Sequence, residues 1–472
     1  MRKTTELYAP RRAYSYTNNI INTTSFYGLN RGLTVADGEM NDMMNLTSDY
    51  MPQLASCLPK VDSGMRVEGR YHGSIKKGND IYTASGTYLH KNGSVVEGVE
   101  LSDEGNNGTD RKLMVSMGAQ IIIWPDKIGY NTVTGEVFKL GNLFDGSGKE
   151  VTCSPCTLNG TVLDDGQTRY TISAAEPANK QNGDYWYDTI NETLMIYNGV
   201  GKAWEMVTST FVRLGCEGIG AGFKMGDAIY LSSTDGEETY TFSGGTEDAK
   251  KDVNKLIGRA WMVEAVEDDA LIVVGLIQGT CTVTTMKAER RVPDFHYACE
   301  ANNRIWGCQF GTEISLNGEF VNQLMACALG DPRNWEVYEQ VSTDSYAVSL
   351  GSDGPFTGAI SLNGVPHFFR EGTMIRITGN IPEQFETDVT DCRGVDAGDA
   401  VSLQRIEQSL MYKSMQDVLL YNNGSWQNMG GRLGATAMAP DCIASTVLGL
   451  KYFMAMPDGV YVYDYQRGVW HR

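Results

Sequence analysis

The stretch Ser409-Leu410-Met411-Tyr412-Lys413, followed by Val418-Leu419-Leu420-Tyr421 and Asn422-Asn423-Gly424-Ser425-Trp426, shows the pattern that decides the fold. Two short apolar runs are separated by a few residues, and a turn-forming segment closes the second run. Turn residues between short apolar runs are typical of β-hairpins, and Asn-Gly is the strongest short signal of this kind. The pattern therefore predicts antiparallel strands joined by tight turns.

Similar strand–turn units recur through the second half of the chain. They lie at Arg304–Trp335, Pro366–Pro382 and Lys451–Tyr465, in addition to the unit above. A spacing of roughly 40–50 residues with several short strands per unit is typical of four-stranded propeller blades. Two further units near residues 66–140 bring the expected count to about six blades. A solenoid is disfavoured because the units share no fixed-length consensus.

Composition agrees with an all-β protein of more than one domain. The chain has 472 residues, and most of its 53 glycines lie singly between short apolar stretches, as turn residues do. Lys and Arg number 39 against 58 Asp and Glu, a formal net charge of −19, which argues against nucleic-acid binding through phosphate contacts. This charge either serves solubility or lines a channel through which nucleic acid passes without sticking.

Targeting signals are not evident in the sequence. Met1-Arg2-Lys3 is not followed by an apolar signal region, and no apolar run approaches the roughly 18 residues of a membrane span. We therefore expect synthesis in a cytosol and no membrane partner. Most of the ten cysteines lie in apolar, strand-like runs, such as Cys299, Cys308 and Cys327, and are predicted to be buried thiols.

Residues about 140–290 depart from the repeating pattern. Aromatic runs around Trp186 and Trp204 predict a small antiparallel sheet, and residues 208–280 have the pattern of a small β-barrel or sandwich. We predict that the segment is inserted in a loop between two blades. Trp186 and Trp204 are candidate contact residues that could stack on sugar rings, although core residues of a small β-domain are the favoured interpretation.

The predicted organisation has four parts. An N-terminal arm with a short helix spans 1–62, the first propeller blades 63–140, the inserted β-domain 141–290, and the remaining blades 291–472. The end at Gly468–Arg472 lies in a strand-like pattern. That pattern fits either a fragment or a last blade that pairs with the N-terminal region.

The arm carries the candidate interaction residues. Asp37 and Glu39 suit a helix start, and the methionines after them fall on one apolar face at helical spacing. This helix packs either on its own domain or on a neighbouring subunit or tail protein, with its methionine face in an apolar groove and the basic residues of the arm on an acidic surface. The candidates are Arg11, Arg12, Met40, Met43 and Met44, with Arg2 and Lys3 adding positive charge.

Motifs for catalysis or metal binding are weak. Cys153-Ser154-Pro155-Cys156 has the spacing of a redox pair or half a zinc site, but no second ligand pair follows, and a β-turn with two incidental thiols is favoured. The five histidines are dispersed, and acidic turns such as Thr343-Asp344-Ser345 lack the spacing of a calcium loop. We predict no enzymatic activity, no cofactor and no metal site.

Several segments, taken in order, resemble the tail β-propeller proteins of tailed bacteriophages, of the nozzle or tail-stabilisation type. They cover the arm and about residues 300–430, roughly a third of the chain, and leave the insertion unmatched. The segments are Ser25–Asn30 with Ala36–Asn45, Asn302–Gly307, Ala328–Trp335, Gly354–Ala359 with Phe356 in place of the usual aliphatic residue, Phe368–Glu371 with Ile375–Gly379, and Arg393–Val395.

The resemblance implies a structural virion protein that is not an enzyme. Such a protein is a subunit of a tail tube, nozzle or stabilisation ring through which DNA passes, with host contact as a further role. Its expected partners are copies of itself in a homo-oligomeric ring, for example a hexamer, and other tail proteins. The alternative is a carbohydrate-binding or carbohydrate-active propeller, for which two carboxylates about 5–10 Å apart beside aromatic residues would be the mark.

Overall fold

The computed structural model describes residues 25–53, 55–59, 61–62, 64–314, 320–434 and 438–472. The protein is all-β, with 46% of residues in strands and 5% in helices, which confirms the predicted class. The strands before the inserted segment are β1 (Leu46–Thr47), β2 (Ala55–Ser56), β3 (Tyr71–Lys77), β4 (Asp80–Ser85), β5 (Tyr88–Lys91), β6 (Ser94–Glu100), β7 (Leu113–Met117), β8 (Gln120–Trp124), β9 (Ile128–Asn131) and β10 (Val137–Lys139).

The next group of strands includes one α-helix. It consists of β11 (Asn142–Asp145), β12 (Val151–Cys156), β13 (Tyr170–Ser173), β14 (Tyr185–Asp188), β15 (Thr193–Asn198), β16 (Ala203–Met206), β17 (Phe211–Gly215), β18 (Ala228–Ser233), β19 (Phe242–Gly245), α1 (Glu247–Asn254), β20 (Arg259–Glu267), β21 (Ala270–Val274), β22 (Cys281–Val283) and β23 (Met286–Arg290).

The remaining strands follow the inserted segment. They are β24 (Tyr297–Ala301), β25 (Arg304–Ile314), β26 (Phe320–Ala326), β27 (Tyr346–Ser349), β28 (Gly358–Leu362), β29 (Val365–Phe369), β30 (Thr373–Thr378), β31 (Glu386–Asp391), β32 (Gln404–Ile406), β33 (Ser409–Ser414), β34 (Asp417–Asn422), β35 (Ser425–Asn428), β36 (Ala444–Leu448), β37 (Lys451–Met456), β38 (Gly459–Asp464) and β39 (Val469–His471). Short 3-10 helices lie at Asn106–Gly108, Pro382–Gln384, Ala400–Ser402 and Gly430–Arg432.

Outside the inserted segment, six four-stranded sheets in the described part of the chain keep the strand order of the sequence. They are β3–β6, β7–β10, β24–β27, β28–β31, β32–β35 and β36–β39. Tight hairpins explain this order, since Asn92 and Gly93 take φ values of 51° and 89° between β5 and β6, as a two-residue hairpin turn requires. The sequence Lys91-Asn92-Gly93, with Asn-Gly between two apolar runs, predicts a hairpin at this position, and the structure confirms it.

The chain divides into two compact units. Unit 1 comprises the described residues of Met1–Ser63 together with Phe368–Met374 and Val389–Arg472, and unit 2 comprises the described residues of Gly64–His367 with Ile375–Asp388. Within unit 2, β3 contacts β7, β7 contacts β24, and β24 contacts β28. Within unit 1, β32 contacts β36. The first strands of successive sheets are therefore neighbours inside each unit.

Strand β8 shows why its sequence is apolar without alternation. Ile121 and Ile123 face a core shared with the β3–β6 sheet, whereas Ile122 and Trp124 face a core that includes Phe295 on the other side. Because both faces of the sheet are covered, four consecutive residues are fully buried. Successive sheets in this unit thus pack face to face.

The inserted segment contains two sheets of different kinds. Nine strands join in the order β11-β23-β18-β20-β21-β17-β12-β22-β19, and in the described residues the end strands β11 and β19 are not paired with each other. The nine-stranded sheet is therefore not closed into a barrel, although both of its end strands contribute to one hydrophobic core, through Phe144 of β11 and the partly buried Phe242 of β19. The second sheet, β13–β16, is antiparallel from β14 to β16 as predicted, and β13 adds a parallel strand.

Two local predictions are wrong. Residues Ala36–Asn45, all described, contain turns and an isolated bridge from Leu29 to Met40 in place of the expected helix. Cys153 and Cys156 lie in the extended strand β12, which pairs with β17 and β22, and not in a β-turn. In both places long-range backbone pairing satisfies the groups that local structure would otherwise bond.

Candidate interaction surfaces

The N-terminal segment lies along the last strand of the chain. The Leu29 N–H donates to the Trp470 carbonyl oxygen at 2.7 Å, and the Leu46 N–H donates to the Arg472 carbonyl oxygen at 3.2 Å. Gly28 has φ +87°, and a Cβ there would lie 2.5 Å from the Trp470 carbonyl oxygen. Only glycine permits this approach. The sequence left two interpretations of Gly468–Arg472 open, and these hydrogen bonds fit the one in which the last blade pairs with the N-terminal region.

Charged side chains hold the same segment to the turn between β37 and β38. Arg31 donates to Asp42 at 3.1 Å, to Asp458 at 3.4 Å and to the Tyr461 hydroxyl at 2.6 Å. The guanidinium groups of Arg31 and Arg472 each lie 5.5 Å from the Tyr461 ring centroid. The hydrogen bond from Arg31 lowers the pKa of Asp42, so this carboxylate stays ionised at neutral pH.

The candidate methionines do not share one face. Met43 is buried at 5% exposure in a core with Phe26, Leu29 and residues of the last two sheets. Met40 is half-buried against that core, whereas Met44 is 66% exposed. Met43 therefore stabilises its own chain, which corrects the expected three-methionine face for a neighbour. Arg2, Lys3, Arg11 and Arg12 lie outside the described residues.

Trp186 and Trp204 lie together in the β13–β16 sheet. Trp186 is 8% exposed, its Nε1–H donates to the Ser173 carbonyl oxygen at 3.0 Å, and its ring centre is 5.5 Å from that of Trp204 at an interplanar angle of 63°. Tyr197 packs edge-on against the half-buried Trp204 at 5.3 Å. Since the rings meet at an angle, the pair forms a small core and not a flat surface for stacking on a sugar.

The two thiols of the Cys-x-x-Cys motif are buried on strand β12. Cys153 pairs in register with Cys281 of β22, and Cys156 pairs with Phe211 of β17. Side chains three positions apart in a strand point to opposite faces, so Cys153 and Cys156 do not form a pair. Burial raises the pKa of Cys156 to about 12, which keeps that thiol protonated and weakens it as a ligand or nucleophile.

The remaining sites of possible chemistry are dispersed. Cys299, Cys308 and Cys327 are buried, as the sequence predicts. In the described residues, no three His, Cys, Asp or Glu side chains lie close enough to hold a metal ion. None of the helices in this part of the chain is long and apolar enough to cross a bilayer.

The Gly330–Trp335 turn is one of the segments that carry the resemblance. It lies between β26 and β27, and hydrogen bonds join it to the nine-stranded sheet of the same unit. Asn334 is 3% exposed; its Oδ1 accepts from the Ala228 N–H at 3.0 Å, and its Nδ2 donates to the Gly226 carbonyl oxygen at 3.1 Å. Asp331 accepts a second bond from Nδ2 at 2.8 Å. This turn after β26 therefore fixes the start of β18 in the inserted segment.

Sequence reasoning misses the residues that build the N-terminal contact. Arg31 and Asp458 are 427 positions apart in the sequence, and no local pattern links either of them to Arg472. A usable signal is the Gly28-Leu29-Asn30 turn, which the sequence marks and the structure places against β39. No protein-family model matches this chain, and no curated protein sequence matches it either.

Proposed function

We propose that this chain is a structural subunit of a bacteriophage tail, built on a six-bladed β-propeller and assembled into a ring through which DNA passes. The observation that supports it most is the set of six four-stranded sheets in sequence order outside the inserted segment. Their first strands are neighbours within each unit, which is the packing expected of blades around a central channel.

The inserted segment is the proposed contact domain of this subunit. Its nine-stranded sheet and its aromatic sheet are not needed for a propeller, and Asn334 holds the segment to the β26–β27 connection. Long insertions between framework strands commonly carry specific contacts. In this proposal they face other tail proteins or the host surface, and the protein resides in the virion after synthesis in the host cytoplasm.

The acidic charge supports passage of DNA without retention. A formal net charge of −19 repels phosphates and weakens any contact with a DNA backbone. A ring that held DNA tightly would obstruct ejection. We therefore expect no stable complex between the purified protein and duplex DNA at physiological salt.

Negative-stain electron microscopy of the purified full-length chain tests this function. The expected result is closed rings with a central opening, and a filter-binding assay with duplex DNA at physiological salt gives no retained complex. A histone preparation serves as the positive control for DNA retention. Monomers at all soluble protein concentrations, or salt-resistant DNA binding, would contradict the proposal.

A further inference from the structure

Strands β12 and β22 bring two cysteines directly opposite each other in the nine-stranded sheet. Cys153 of β12 pairs in the antiparallel register with Cys281 of β22, and both are free thiols. Opposed Cα atoms in antiparallel strands lie about 4.5 or about 5.5 Å apart. A disulfide joins residues whose Cα atoms are about 4.4–6.8 Å apart. The register therefore places the two cysteines within the reach of a disulfide without any movement of the backbone.

The two thiols contact each other in the core of the inserted segment. Cys153 is 0% exposed and Cys281 is 1% exposed, and both belong to one hydrophobic core. The Cys153 thiol donates a hydrogen bond to the Cys281 sulfur, which raises the pKa of Cys153 and lowers the pKa of Cys281. Cys281 is therefore the first of the pair to become a thiolate, the form in which cysteine reacts with an oxidant.

An exposed glycine lies on the other side of Cys281. Gly245 of β19 pairs with Cys281, and a Cβ at Gly245 would lie 2.3 Å from the Cys281 Cβ. Only glycine permits this approach, at φ +106°. Since β19 is the end strand of the sheet in the described residues, the backbone of Gly245, and not a side chain, lies between Cys281 and the edge of the sheet. A small oxidant can therefore reach Cys281 through a local opening of this edge.

We propose that Cys153 and Cys281 are a site of oxidative modification, at which hydrogen peroxide forms a reversible disulfide between β12 and β22. The Cys281 thiolate attacks one peroxide oxygen and the O–O bond breaks, which gives a sulfenic acid on Cys281 and a hydroxide that is protonated to water. The Cys153 thiol then attacks the Cys281 sulfur, so that the S–S bond forms, the S–O bond breaks and a second water leaves. The two sulfurs lose two electrons in total, and these reduce the peroxide to water.

The disulfide ties β22, and β19 beyond it, to β12. Helix α1 contacts both β19 and β22, so the cross-link also restrains the helix. It closes a long loop of the chain that contains the β13–β16 sheet, and closing such a loop lowers the entropy of the unfolded state. The unfolding temperature of unit 2 should therefore rise by about 5 °C or more on oxidation. The cross-link needs neither a ring nor a partner, so its test is separate from that of the proposed function.

Peptide mass spectrometry of the full-length chain tests the site. The protein is reduced with dithiothreitol, desalted, treated with dilute hydrogen peroxide, alkylated in denaturant and digested without reductant. We expect a cross-linked peptide that joins Cys153 to Cys281 and that dithiothreitol separates again, whereas oxidised methionine is not restored by dithiothreitol. Cys156 is the matched control within the same strand, because it is also buried but pairs with Phe211, so it should stay alkylated. Fragmentation between Ser154 and Pro155 distinguishes the two β12 cysteines.

Thermal unfolding of three alanine variants, before and after peroxide, measures the effect of the cross-link. Cys153→Ala and Cys281→Ala should each lose the peroxide-dependent rise in unfolding temperature, whereas Cys156→Ala should keep it. If an alanine variant does not fold, the cross-linked peptide of the wild-type chain decides alone. Alkylation of both Cys153 and Cys281 after peroxide treatment, a sulfinic acid on Cys281 without a cross-link, or a disulfide from either cysteine to Cys156 would overturn the proposal.

Discussion

At the scale of single residues, buried polar side chains connect elements that are distant in sequence. Asn334 satisfies backbone groups at Gly226 and Ala228 while it remains bonded to Asp331 in its own turn. Burying an amide is favourable only when its donors and acceptors are bonded. The role of this residue is therefore to fix geometry, and its loss leaves unsatisfied backbone groups behind.

Replacement of Asn334 by alanine should lower the free energy of unfolding by about 2–4 kcal/mol, because it removes three side-chain hydrogen bonds, one of them fully buried, and leaves two backbone groups without a partner. Urea unfolding followed by tryptophan fluorescence measures this change. The matched control is Asn179→Ala, which truncates an exposed asparagine and should change the midpoint very little. Equal midpoints for the two variants would contradict the role given to Asn334.

His367 should make the protein less stable in acid. Burial lowers the pKa of His367 to about 4, and burial also lowers the pKa of His296 and His471. An unfolded histidine takes up its proton near pH 6.5, so the stability that a neutral His367 contributes is present above that pH and is lost as the pH falls toward 4. The loss is at most about 3 kcal/mol for this residue.

A pH series of urea midpoints from neutral pH down to the acid limit checks this expectation. His367→Phe removes the titrating group and keeps an aromatic ring in the site, so its stability should fall less steeply with decreasing pH than that of the wild type. Identical slopes for the two proteins would show that His367 does not carry the effect. The control is Tyr50→Phe, which changes an exposed aromatic residue and should leave the pH dependence as it is in the wild type.

At the scale of elements, the N-terminal segment completes the last sheet. Phe26, Leu29 and Met43 enter the core formed by β32–β39, and Leu29 and Leu46 bond the backbone of the final residues. Between Ser25 and Gln53, which the structure describes, this segment has no helix and only a two-residue strand, β1, so its order depends on that packing. Its stability is therefore a property of the contact and not of local propensity.

Gly28→Ala should loosen the N-terminal segment. Alanine disfavours φ +87°, and its Cβ would meet the Trp470 carbonyl oxygen at 2.5 Å. We expect a loss of about 2 kcal/mol or more in the free energy of unfolding and faster amide hydrogen exchange at Leu29. Gly424→Ala isolates the backbone term, since Gly424 has φ +86° and no heavy atom within 4 Å of the added Cβ. If Gly28→Ala and Gly424→Ala lower the free energy of unfolding by the same amount, the close approach to the Trp470 carbonyl oxygen does not contribute.

At the scale of the whole molecule, the chain consists of two compact units that differ in which stretches of the sequence build them. Unit 2 is continuous apart from a short returning segment, Ile375–Asp388. Unit 1 combines the two ends of the chain, because the N-terminal segment packs on the last sheets. Loss of Phe26, Leu29 and Met43, or of β39, should therefore destabilise the same unit.

Two truncations compare the contribution of residues 1–24 to stability with that of residues 1–47. Removal of residues 1–24 leaves Phe26, Leu29 and Met43 in the core of unit 1, so the stability that these three residues contribute should be retained. Removal of residues 1–47 should lower the unfolding temperature of unit 1, because Phe26, Leu29 and Met43 are lost from its core. Differential scanning calorimetry distinguishes the two. A large loss with the shorter deletion, or none with the longer one, would contradict this account.

By itself the sequence determines the all-β class and the local hairpins of this protein. Asn92-Gly93 specifies a turn because its two residues tolerate positive φ, and the unbroken apolar run Ile121–Trp124 specifies a strand covered on both faces. These signals are local, since turn chemistry and side-chain periodicity act over a few residues. They can therefore be recognised in the sequence without knowing which segments pair in the folded chain.

Only the tertiary structure decides how the candidate residues are used. The expected helix after Asp37 gives way because Tyr27 and Gly28 bond Gly38 and Met40, so that Met43 is buried and Met44 is exposed. Cys153 and Cys156 become strand residues because β17 and β22 pair with β12 on its two sides. The physical reason is the same in both cases: the deciding hydrogen bonds and apolar contacts join segments whose spacing in the sequence carries no local signal.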